Sequence, residues 1–228
     1  MAEHAVQSEK YGEVVYEQYE TIEQQQETYI VGMWSFLVTE IMFFGSLFVL
    51  YATYRWKYPD VWVAMSYKLD YVLGGVNTMV LLISSFFVAA SVYMAQRGKM
   101  KQVQLFLAGT IACAFGFLVI KYFEYSEKIS HGLFPNWAYI PPDGIEAGPS
   151  RLYMSMYFAM TGLHGAHVII GIIVFVYLMV LIGKKSKLIT DYIPTEMVGL
   201  YWHFVDLVWM FVFPLIYLMS VNMSGGGG

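Results

Sequence analysis

The chain carries one cysteine, Cys113, in 228 residues. A lone thiol closes no intrachain disulfide, and it excludes CxxCH haem attachment, a thiolate zinc site and a cysteine-ligated iron–sulfur cluster. Cys113 sits in an apolar run and reads as a small packing residue. Charge is scarce too. Asp, Glu, Lys and Arg make up 13% of the chain, too little to wet the surface of a soluble domain of this length. No basic stripe interleaved with aromatics is present, which argues against nucleic-acid binding. A secretory signal is also missing: residues 1–30 hold Glu3, Glu9, Glu13, Glu17, Glu20, Glu23 and Glu27 against Lys10 alone, and no apolar core precedes Ile30. Insertion is therefore expected to rest on the first apolar helix. No internal repeat suggests an inverted-repeat transporter.

What remains is apolar and aromatic, at 58% and 18% of the residues. A spanning helix needs about 20 mainly apolar residues. Five stretches qualify, at 31–54, 72–95, 103–126, 152–183 and 196–222. Runs this long, in a solvent that cannot satisfy backbone polar groups, predict helices, and the alternation of a membrane β-barrel is missing. The expected fold is all-α, an integral membrane bundle of five transmembrane helices over residues 31–222. An acidic extramembrane segment, 1–30, precedes it as a surface helix or an unstructured stretch, and a flexible Gly-rich tail, 223–228, follows. The fourth stretch exceeds the bilayer thickness and should tilt or protrude.

Breakers mark the connections. The 55–71 loop holds Pro59; the 127–151 loop holds Pro135, Pro141, Pro142 and Pro149 with Trp137 and Tyr139, a mixture expected of an interfacial cap. Tight basic clusters lie in the 96–102 loop (Arg97, Lys99, Lys101) and at the start of the 184–195 loop (Lys184, Lys185, Lys187). They favour a cytoplasmic N-terminus and an outer C-terminus, although Arg55, Lys57, Lys68, Lys121, Lys128 and Arg151 nearly balance them on the other side.

Ionisable residues inside spans are costly and face protein or water. Glu40 lies midway along the first, among apolar neighbours, as a carboxyl in or beside a proton route or as an acid hydrogen-bonded to another helix. His164 and His167 share a helix face at i, i+3, the spacing of a partial metal or haem site. Two ligands are too few, and His203, Glu124 and Glu196 form no Glu-x-x-His pair that would complete the set. Interhelical hydrogen bonding is the plainer reading, with Gly162, Gly165 and Gly171 permitting close approach. His203 and Asp206 repeat the spacing and are placed to pair or to bind a common partner. Lys121, Glu124, Glu127 and Lys128 form either a helix-end charge network or a transfer path, and Asn77 and Thr78 look like interhelical contacts.

Taken in order, these segments resemble the subunit III family of haem-copper terminal oxidases. Gly199-Leu-Tyr-Trp-His-Phe-Val-Asp-Leu-Val-Trp209 is similar to the family's WHFVD-x-VW segment, and Thr161-Gly-Leu-His-Gly-Ala-His-Val-Ile-Ile-Gly171 to its TG-x-HG-x-HV-x-x-G segment. Thr39-Glu-Ile-Met-Phe-Phe44 resembles the (S/T)E-x-x-FF motif, whose Glu falls on Glu40. Asn77-Thr-Met-Val-Leu-Leu82, Glu124-Tyr125 and Glu196 match weaker signals. The resemblance covers about residues 31–222 and fits the five-helix form, not the seven-helix form with its lipid cleft.

It implies a non-catalytic subunit of a cytochrome c oxidase in aerobic respiration. Such a subunit carries no haem, copper or other metal of its own, and haem and copper sit on partner subunits. It packs against subunit I beside subunit II, with a small subunit IV or a larger respiratory supercomplex as further partners. It holds structural phospholipid and supports proton uptake. Multi-pass insertion in a bacterial inner membrane follows. On this reading Glu40 is the proton-related carboxyl, and Glu124, His164, His167, Glu196, His203 and Asp206 form the intramembrane polar network. Competing readings are a partner of a quinol oxidase or nitric-oxide reductase, an independent proton channel or transporter, and a haem-binding redox protein.

Overall fold

The computed structural model describes residues 18–184 and 192–217. They contain six helices and no strand: α1 (Ile22–Lys57), α2 (Pro59–Ser66), α3 (Tyr71–Gln96), α4 (Met100–Ser130), α5 (Ala147–Gly183) and α6 (Ile193–Tyr217). All but α2 are long and apolar enough to cross a bilayer, so the protein is a multi-pass helical membrane protein. Residues 1–17, the Lys185–Lys187 cluster and the Gly tail lie outside the described residues.

α1 begins at Ile22 instead of 31, so the end of the acidic segment forms the first turns of the first span. The local chemistry explains the start. The Thr21 hydroxyl accepts from Gln24 N at 3.2 Å, and Gln24 Oε1 accepts from Glu20 N at 2.9 Å. That reciprocal arrangement satisfies amides that have no partner inside the helix. The 55–71 connection is also more ordered than its composition suggested. Pro59 opens α2, where a missing N–H costs nothing. Asp70 Oδ1 then caps α3 through Val72 N and Leu73 N, at 2.9 and 3.1 Å.

α3 and α4 form a hairpin. Their buried positions recur every three or four residues, from Gly74 to Ala95 and from Val103 to Lys128, so each presents one continuous stripe. Both end in the same way. Gly98 (φ 70°) donates to Ala95 O while Lys99 N reaches Met94 O; Gly132 (φ 71°) donates to Ile129 O while Leu133 N reaches Lys128 O. These are Schellman closures, which require a residue with positive φ after the last turn.

α4 packs on α5, α5 on α6 and α6 back on α3, closing a four-helix core. α1 leans on this core along the narrow seam of Leu37, Phe44 and Tyr51, seven residues apart. Outside that seam Val31, Trp34, Met42 and Val49 are exposed to whatever surrounds the bundle. α2 closes one end, with Trp62 buried between Tyr51, Tyr58 and Tyr153.

Of the three glycines expected to allow close helix approach, one does. A Cβ on Gly171 would lie 2.6 Å from the Trp202 ring, whereas Gly165 faces open space and Gly162 has only ordinary clearance, 3.7 Å from the Tyr125 hydroxyl. Trp202 cannot swing aside freely, because its Nε1–H donates to Ser84 Oγ at 3.0 Å and Phe175 packs on it edge-on. Gly171→Ala is therefore expected to destabilise the bundle by about 1–3 kcal/mol through overpacking, while Gly165→Ala leaves stability unchanged. Thermal unfolding of the two variants in detergent checks the contrast.

Candidate functional site

In hydrocarbon an unpartnered polar group costs several kcal/mol, so the contacts of each intramembrane polar side chain show what it is used for. The sequence predicted one network through Glu124, His164, His167, Glu196, His203 and Asp206. The structure distributes these residues over separate sites.

The most fully bonded is Glu124 on α4. Its Oε2 lies 2.7 Å from Lys121 Nζ, and its Oε1 accepts from Tyr157 OH of α5 at 2.8 Å and from Tyr217 OH of α6 at 2.6 Å. Lys121 also donates to the Tyr217 hydroxyl and sits 4.6 Å from the centre of the Trp209 ring. A buried ion pair is tolerated when its remaining hydrogen-bonding capacity is filled, as it is here. This pair is thus an internal tie joining three helices. Glu127 and Lys128 lie apart from it, near the helix end, 3.4 Å from each other.

Glu40 meets His167 across α1 and α5, with Oε2 3.1 Å from Nε2. The i+4 geometry of α5 sets the imidazole: Nδ1 lies 2.8 Å from the Leu163 carbonyl, which only accepts. Nδ1 must therefore carry a proton, and the Nε2–carboxyl contact then needs one proton between its two atoms. Phe44 packs against the ring edge-on at 5.1 Å, and Tyr201 OH donates to the His167 carbonyl at 2.9 Å. The pair is not sealed: the imidazole is 14% and the carboxyl 18% exposed. It is a partly open polar contact on the flank of the bundle.

His164, one turn earlier, faces the core. Its ring stands against Phe117 and Trp209, at 5.4 and 5.0 Å. Neither of its nitrogens has a hydrogen-bond partner among the described residues. The two imidazoles of α5 thus turn to different neighbours and present no common point to a metal, whatever their spacing suggested.

The α3–α6 seam is laced by hydroxyls. Ser85 Oγ lies 2.8 Å from His203 Nδ1, and Trp209 Nε1–H donates to Thr78 Oγ1 at 3.1 Å. Asp206 is buried on α6, and neither of its carboxylate oxygens has a hydrogen-bond partner among the described residues. Asn77 of α3 is buried without a hydrogen-bond partner among the described residues. Glu196 is half-buried in the first turn of α6, and no hydrogen bond or ion pair among the described residues joins its side chain to the others.

Sequence reasoning missed the tyrosines. Tyr157 and Tyr217 complete the Glu124 site, while Tyr51 and Tyr153 donate to the carbonyls of Leu215 and Ile216 at 2.7 and 3.0 Å, in the last described turn of α6. Nothing in the chain marks these rings, because their partners lie far away in sequence.

A multi-pass bundle in which buried polar side chains such as Glu124 and Glu40 bond from one helix to another defines a class. The comparisons narrow it to a family. Residues 11–221 match the family model described as cytochrome c oxidase subunit III. The chain is 31% identical over 189 residues to the probable cytochrome c oxidase subunit 3 of Mycobacterium tuberculosis, covering 83% of this chain and 87% of that one. It is 30% identical over 199 residues to the cytochrome bo(3) ubiquinol oxidase subunit 3 of Pseudomonas putida, covering 84% and 86%. It also aligns at 31% identity over 194 residues with the heme-copper oxidase subunit I+III of Aeropyrum pernix, covering 82% of this chain and 22% of that one. The chain belongs to the haem-copper oxidase subunit III family.

Removing one member of the buried pair leaves the other charge uncompensated. Lys121→Met and Glu124→Leu are each expected to cost about 3–5 kcal/mol, and the double variant less than their sum. A double-substitution cycle on unfolding in detergent measures the coupling, which is zero if the pair is only a surface contact.

Proposed function

We propose that this chain is the non-catalytic subunit III of a cytochrome c oxidase, stabilising the catalytic subunit, holding phospholipid and supporting proton uptake. Haem and copper then reside on subunits I and II, and the chemistry of oxygen reduction takes place there. A small subunit IV or a respiratory supercomplex extends the assembly. The name of the Aeropyrum relative, subunit I+III, supports packing against subunit I, since one chain there combines both parts. The assembly then sits in a bacterial plasma membrane, and the basic clusters around Arg97 and Lys184 support a cytoplasmic N-terminus and an outer C-terminus.

The observation that carries the proton role is the Glu40–His167 contact. With Nδ1 committed to Leu163, the pair shares one proton, and both side chains are partly open on the flank of the bundle, where a partner subunit would complete a proton route. A carboxyl used only for packing would be expected to resemble Glu124, closed on all sides. A quinol oxidase is the second reading, favoured by relatives such as the Pseudomonas protein. Turnover of the isolated complex with reduced cytochrome c or with a quinol separates the two.

Glu40→Gln keeps size and one hydrogen bond while removing the ionisable proton. In the purified oxidase it is expected to leave haem content and subunit composition unchanged and to lower steady turnover, proton pumping or the lifetime under turnover. Unchanged values for all three would remove the proton role and leave Glu40 as a tie between α1 and α5.

A further inference from the structure

Three polar side chains of the four-helix core lie outside its hydrogen bonds. Asn77 of α3 and His164 of α5 are fully buried, and Asp206 of α6 is 5% exposed. The amide of Asn77, both ring nitrogens of His164 and both carboxyl oxygens of Asp206 have no hydrogen-bond partner among the described residues. The hydroxyls of the α3–α6 seam are already committed: Ser84 accepts from Trp202, Thr78 accepts from Trp209, and Ser85 is bonded to His203.

All three gather about one indole, that of Trp209. The His164 ring stands 5.0 Å from it, its N–H bonds to Thr78, the residue after Asn77, and Asp206 lies one turn before it on α6. Asn77 and Asp206 belong to the buried stripes that α3 and α6 turn to the core. Lys121 reaches the same indole at 4.6 Å, so this region borders the Glu124 ion pair. Phe117 packs edge-on against both His164 and Trp209. One turn before it comes Ala114, the smallest side chain of the buried stripe of α4, so α4 fills the core least there.

The chemistry of these groups selects a ligand. Asn77 offers two donors and an acceptor, a neutral His164 one of each, and Asp206 two acceptor oxygens, so the ligand must both donate and accept. It must also be small, because Asn77 and His164 are closed to the outside. No group of three or more His, Cys, Asp or Glu among the described residues could hold a metal ion. Hydrocarbon offers such groups nothing, and buried polar atoms without a protein partner are ordinarily met by ordered water. We propose that Asn77, His164 and Asp206 bind ordered water inside the core, bridging α3, α5 and α6 beside Trp209. His164 then ties α5 to its neighbours through solvent, as Glu124 ties α4 through side chains.

The test uses the full chain isolated in mild detergent with the subunits that accompany it. Radiolytic hydroxyl labelling, read by mass spectrometry, marks side chains beside tightly held water even where bulk solvent does not reach. Label on Phe117 and Trp209, both fully buried, is expected in the parent chain, with a several-fold loss in Asn77→Leu and in His164→Leu. Each apolar replacement is also expected to lower the unfolding temperature, and the double variant by less than the sum, because the two side chains share a ligand. His164→Gln keeps a donor and an acceptor; it is expected to retain the label, and with Asn77→Leu it carries the test if His164→Leu does not assemble. A raised unfolding temperature in either apolar variant would overturn the assignment in favour of stranded polar groups, whose removal stabilises. Unlabelled Phe117 and Trp209 in the parent chain would overturn it in favour of direct pairing among the three side chains.

Discussion

The rule that hydrocarbon offers polar groups no partner organises this structure from the Glu124 carboxylate outward. That carboxylate has an ammonium on one oxygen and two phenol hydroxyls on the other, contributed by three helices. Each of those partners is fixed in turn. Lys121 is pinned by Tyr217 and the Trp209 face, and Trp209 is tied by its indole N–H to Thr78 of α3. One buried charge pair therefore sets the register of all four core helices. Tyr51 and Tyr153, closing on the carbonyls of Leu215 and Ile216 beside Tyr217, extend the same logic to α1.

α1 stands in a different relation to the core. Its seam is one side chain wide, and its polar ties are the Tyr51 hydroxyl on the Leu215 carbonyl and the partly open Glu40–His167 pair. The carboxyl of Glu124 is closed by partners on three helices, whereas that of Glu40 is partly open on the flank of the bundle. The tautomer of His167 follows from a backbone carbonyl one turn back, and the proton shared with Glu40 follows from the tautomer.

Much of the fold was legible in the sequence because hydropathy is a local property. The spans could be placed from composition and length, and the family from short ordered motifs. Glu40, His167, His203 and Asp206 were also legible, since an ionisable residue in a span is conspicuous. What joins them was not. The i, i+3 spacing of His164 and His167 puts both on one side of α5, but helix geometry does not say that one ring faces Trp209 and the other Glu40. Gly165 and Gly171 look alike in the chain and differ only in whether a tryptophan lies opposite. α1 begins ahead of the apolar stretch because its polar first turn, held by Thr21 and Gln24, scores poorly on hydropathy, although its capping residues are there to be read. Tyr157 and Tyr217 were invisible as ligands of Glu124, as any pairing across many tens of residues is without contacts.

The most direct measurement is isolation of this chain through a tag in mild detergent, with mass spectrometry of the co-isolating subunits and a visible spectrum. Co-isolation with subunits I and II and with oxidase haem bands is the expected result. A chain that emerges alone, colourless and stable, would contradict a subunit role and point to an independent membrane protein.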